Sequence, residues 1–144
     1  MTPDPFNAPP LSSEDSLLME LYEQVGRPLD DLPYTEEFDR LYEAFCQKCP
    51  GRTKYDVVER LFRLRKAGVL TRLGHGLSGP VSVADEDVSA LEPLVRKYAG
   101  TLGQRDRLPY TAEFDRLVEE FNRRSASKPL DAHAVWRLVA RVAK

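Results

Sequence analysis

Cysteine is nearly absent: the chain of 144 residues has two, Cys46 and Cys49, too few for a disulfide framework. A reducing cytoplasm is therefore the expected compartment. Apolar runs are short, and none approaches the roughly 18–20 residues needed to span a bilayer, so no membrane partner is expected. The first residues, MTPDPFNAPPL, lack a basic segment followed by an apolar one, so no secretory signal is expected. Charge of one sign is also lacking. Lys and Arg number 21 against 23 Asp and Glu, a net charge of −2, which argues against a protein that coats nucleic acid. Histidine occurs twice and tryptophan once.

What is present is a duplication. Residues 32–45 read LPYTEEFDRLYEAF and residues 108–121 read LPYTAEFDRLVEEF, with eleven of fourteen positions identical at an offset of 76. The likeness extends upstream, where LLMELYEQVG ends at Gly26 and LEPLVRKYAG at Gly100. Downstream, VVERLFRLRK resembles VWRLVARVAK, and an offset of 77 aligns Arg60 with Arg137. Length alone predicts one domain of about 150 residues. The repeat predicts two units of about 60 residues each, packed together as a pseudo-twofold body.

Each unit reads as three helices. In the first, Ser12 or Ser13 caps a helix with apolar positions Leu17, Leu18, Leu21, Tyr22 and Val25, stopped by Gly26 and Pro28. Thr35 caps the next, whose Phe38, Leu41, Tyr42 and Phe45 fall on one stripe. Thr53 with Asp56 forms a shortened capping box for the third, which Gly68 ends. In the second unit Thr111 and Asp131 cap the middle and last helices, and Pro93 predicts a kink in the first or a late start after Ser89. Tyr34 and Tyr110, each preceded by Leu-Pro, are expected to seat the turn before the middle helix. Val69–Leu73 and Val81–Val83 alternate in a strand-like way around Gly74, Gly76, Gly79 and Pro80, which predicts a β-hairpin.

Three helices and a hairpin, carried by RLFRLRKAGVLTRLGHGLSGPVSV over residues 60–83, resemble the winged helix-turn-helix superfamily; the resemblance covers roughly residues 35–84. It implies a third helix in the major groove and a wing on the backbone or minor groove. The fold expected is thus mainly α: two tandem three-helix, helix-turn-helix-like repeats, the first followed by a β-hairpin wing. The expected divisions are a Pro-rich tail over 1–11, a winged-helix-like unit over 12–84 and a three-helix unit without a wing over 85–144.

Charge alternates with the repeat. Residues 1–51 carry three bases and eleven acids, 52–76 seven and two, 77–120 five and nine, and 121–144 six and one. The third helix of each unit is therefore basic. Lys54, Arg60, Arg63 and Lys66 in the first unit, Arg72 and His75 on the wing, and Arg137 and Arg141 in the second unit are the candidate phosphate contacts. DNA is the partner expected, with RNA left open. The alternative is a protein adaptor, engaged through the acidic helices or the tail. Both basic helices on one face would favour DNA, and opposite faces would suit an adaptor.

Enzymatic chemistry is not expected. Cys46 and Cys49 form a CxxC at a helix C-terminus, where the dipole opposes a reactive thiolate. The histidines lie far from both at no metal-binding spacing, so no metal and no cofactor are expected. The glycines of 74–79 lack the Lys-Ser/Thr ending of a phosphate loop, and GLSGP is not a nucleophile elbow.

Overall fold

A computed structural model describes residues 12–73, 81, 83–125 and 128–143. Among the described residues six α-helices follow in order: α1 Ser13–Val25, α2 Glu36–Lys48, α3 Lys54–Lys66, α4 Asp85–Ala99, α5 Ala112–Arg124 and α6 Ala132–Val142. Short 3-10 helices, Leu29–Asp31 and Leu102–Arg107, precede α2 and α5. No helix among the described residues is long and apolar enough to cross a membrane.

Local chemistry explains the boundaries. The Ser12, Thr35, Thr111 and Asp131 side chains each accept an N–H from the first turn of their helices. Thr53 and Asp56 complete a reciprocal capping box. Pro93 lies inside α4, which begins at Asp85, so the late start expected after Ser89 does not occur.

The expected wing is overturned, because no strand occurs among the described residues. The cause is how α3 ends. Gly68, at φ +76°, closes a Schellman motif in which the Val69 N–H donates to Leu64 O (3.2 Å) and the Gly68 N–H to Arg65 O (3.0 Å). That reversal turns the chain back along its own unit. Val69, Leu70 and Leu73 pack half-buried against the core, so their alternation reflects anchoring and not a ladder. Residues 74–80 and 82 of the expected hairpin lie outside the described residues.

The two units share one apolar core. Within the first, α1 packs on α2 and α3; within the second, α4 packs on α5 and α6. Across the units the contacts are reciprocal: the first 3-10 helix packs on α6 and the second on α3. This is the self-complementary pattern of a twofold dimer, closed inside one chain. Trp136, fully buried, lies edge-on to Phe62 of the first unit (5.9 Å) and Phe114 of its own (6.2 Å).

Tyr34 and Tyr110 mark the pseudo-twofold axis. Their rings lie 4.3 Å apart, and the backbone N–H of each donates to the hydroxyl of the other at 2.5 Å. Both residues are left-handed, at φ 68° and 64°, a conformation that costs a bulky side chain about 1–3 kcal/mol. The exchanged hydrogen bonds and ring contacts hold them there. The tyrosines do seat the inter-helix turns, and they do so by gripping each other.

Candidate functional site

The basic residues of α3 are mostly committed within the fold. Lys54 at its first turn contacts Asp39 at 2.8 Å, with its ammonium 5.9 and 5.8 Å from the Tyr42 and Tyr110 rings. Arg60 reaches α1, meeting Glu14 at 2.8 Å and Asp15 at 3.3 Å. Arg52 grips the other oxygen of Glu14 at 2.7 Å. Held mainly by Arg60 and then by Arg52, the Glu14 carboxyl titrates below its ordinary range. Arg63 is exposed but pairs with Glu59 at 3.0 Å.

Arg137 of α6 also turns inward, with its side chain 21% exposed, and meets Asp31 of the first unit at 3.3 Å. His133 approaches the same carboxylate at 3.0 Å and Arg27 does so at 2.7 Å. The Asp31 side chain is only 7% exposed, so a buried charge cluster ties the first 3-10 helix to α6. The reciprocal contact uses Arg105, buried under the Trp136 ring at 5.4 Å, with Asp30 at 3.3 Å and Asp106 at 3.2 Å. Arg65 of α3 joins it through Asp30 at 2.9 Å. Sequence reasoning missed this system. Its signal was the acid two residues before the shared Leu-Pro-Tyr in both repeats, Asp30 and Asp106, with Asp31 beside the first.

Arg60 and Arg137 are not equivalent. The α2–α3 connection runs over 49–53 and the α5–α6 connection over 125–131, two residues longer. The caps Thr53 and Asp131 therefore stand 78 apart, which pairs Arg60 with buried Leu138 and Arg63 with Arg141. Lys66, Arg72 and Arg141 are exposed and meet no carboxylate among the described residues. Arg72 lies in the irregular segment after α3, and His75 falls outside the described residues.

Beside Arg72 is a groove of about 450 Å³ between α1, the first 3-10 helix and residues 68–73. Tyr22 and Leu29 floor it, Leu70 and Leu73 wall it, and Arg65 and Arg72 stand at its rim. A second opening of about 340 Å³ faces Phe45, Arg52, Arg60 and Arg63, with Asp56 and Glu59 beside the arginines.

The cysteines serve the α2–α3 turn. The Cys46 thiol donates to Arg52 O (3.7 Å), which also accepts from the Tyr42 hydroxyl (2.5 Å). Asn122 does the matching job in the second unit, holding both Leu130 N (3.0 Å) and Leu130 O (2.9 Å). Burial, reinforced by the Glu14 carboxylate, raises the Cys49 pKa and keeps the thiol protonated. Among the described residues no group of three or more His, Cys, Asp or Glu is placed to hold a metal ion.

No family model, curated protein or solved structure matches the chain.

Proposed function

We propose that this protein is a non-enzymatic adaptor, a preassembled helical body that binds a partner protein. One observation carries the reading: the basic third helices spend most of their charge internally. Of the candidate phosphate contacts, Lys54, Arg60, Arg63 and Arg137 each meet a carboxylate of the same chain. Phosphate binding at these positions would first have to break those pairs, which removes the gain from counterion release. The apolar-floored groove beside Arg72 offers a partner protein more than it offers a phosphate backbone. The two cysteines, both free thiols, fit a cytoplasmic setting.

Nucleic-acid binding is the second reading, and one observation favours it: Arg63 and Arg141 are exposed at equivalent places of the two units, with Lys66 and Arg72 beyond the first. Titration of labelled duplex DNA at about 20 mM salt, where nonspecific attraction is strong, separates the two. The adaptor reading expects no binding. Binding whose salt slope falls by about one in each of Arg63→Gln and Arg141→Gln would establish the nucleic-acid reading instead.

A further inference from the structure

Resting on the adaptor reading, we propose that the groove between α1, the first 3-10 helix and residues 68–73 takes an acidic amphipathic peptide segment of the partner protein. An apolar side chain of that segment sits over Tyr22 and Leu29, and a neighbouring carboxylate meets Arg72.

The apolar half follows from the lining. Tyr22 and Leu29 are each 2% exposed and fixed by core packing, so the floor is rigid before any partner arrives. The volume, about 450 Å³, admits large aliphatic or aromatic side chains, and Leu70 and Leu73 close two sides. A preformed pocket of this kind loses little conformational entropy on binding.

The charge half follows from which rim groups are already taken. Arg65 is pinned by Asp30 at 2.9 Å and stacked on Phe62 at 5.0 Å, so its guanidinium is held in place. Asp30 is shared with Arg105 at 3.3 Å, and Glu23 accepts the Thr71 hydroxyl. Asp30 is thus taken by two arginines, whereas Arg72, which lines the groove, is exposed with no carboxylate among the described residues. An arriving carboxylate finds one open guanidinium, that of Arg72, beside an apolar floor. A basic segment would meet the same guanidinium and be repelled.

The test is a titration of the isotope-labelled full chain with two short synthetic peptides that share Leu and Phe anchors. One is flanked by Asp and Glu, the other by Lys and Arg. The acidic peptide is expected to saturate and to shift the backbone signals of Tyr22, Leu29, Leu70 and Arg72, and the basic peptide to leave them in place. Arg72→Glu is expected to weaken the acidic peptide on the order of tenfold or more and to let the basic one bind. Arg72 is exposed, so an unchanged thermal midpoint confirms that this variant folds; Arg141→Glu is expected to leave peptide binding as it was. Equal binding of both peptides, or indifference to Arg72→Glu, overturns the proposal. So does failure of the acidic peptide, the result expected if residues of the chain itself fill the groove. Such a failure without duplex DNA binding removes the groove and leaves the adaptor reading standing, whereas duplex binding removes the adaptor reading.

Discussion

Tyr34 and Tyr110 combine an unfavourable backbone with a shared polar contact. Each hydroxyl accepts the other residue's backbone N–H, so removing one orphans a half-buried donor on the opposite unit. Tyr34→Phe and Tyr110→Phe are each expected to cost about 1–3 kcal/mol in urea unfolding, with similar values because the contact is reciprocal. Burial raises both phenol pKa values, and the groups stay neutral through the physiological range. Glu120 is the opposite case. The ammonium of Lys97 and then the Tyr98 hydroxyl stabilise its carboxylate and hold its pKa down to about 2 from an ordinary 4.5. Above pH 4.5 both folded and unfolded states are ionised and the contribution is complete. As pH falls from 4.5 towards 2, only the unfolded state takes up the proton, so stability is lost across that window. Thermal midpoints measured across it are expected to fall less steeply in Glu120→Gln than in the parent protein.

The helices repeat more faithfully than their connections do. α2 and α5 share the Thr cap, the buried Phe-Leu-Phe stripe and an offset of 76, all legible from residues 32–45 and 108–121. The next connection differs by two residues, which takes the α3–α6 offset to 78 and sets Arg60 opposite Leu138 instead of Arg137. The same connection shows one backbone position held by Cys46 in one unit and Asn122 in the other. Cys46 reaches only Arg52 O, at 3.7 Å, whereas Asn122 holds both polar atoms of Leu130. Cys46→Asn is therefore expected to raise the thermal midpoint. Each hydrogen bond gained contributes about 0.5–1.5 kcal/mol. An unchanged or lower midpoint would show that the shorter connection does not let an amide reach both atoms.

At the scale of the whole molecule, each unit completes the other. Trp136 of the second unit packs on Phe62 of the first, and Asp31 of the first receives His133 and Arg137 of the second. Neither unit can bury its own face alone, and separating them would expose Trp136 and leave Asp31 without its α6 partners. Fragments 12–73 and 83–143 are each expected to be poorly helical by circular dichroism, and to gain helicity when mixed. The intact chain is expected to unfold in one transition. Two separated transitions, or a fragment fully helical by itself, would contradict that mutual dependence.

By itself the sequence determined the helices apart from the start of α4, the caps at Thr35, Thr53, Thr111 and Asp131, and the duplication, because these depend on neighbours within one or two turns and on a repeat visible residue by residue. It also marked the buried stripes, with Phe38, Phe45, Phe114 and Phe121 all inside. Tertiary structure alone decided where the charges went. Lys54, Arg60 and Arg137 had every local mark of exposed cations on basic helices, yet Asp39, Glu14 and Asp31 bring their partners from other elements, the last from the other unit. Tertiary structure also decided the fate of Val69–Leu73. Their alternation suits a strand or a segment pinned to a core, and the turn at Gly68 aims them at the core. Periodicity records which side chains are apolar, and only packing across the whole chain settles what they meet.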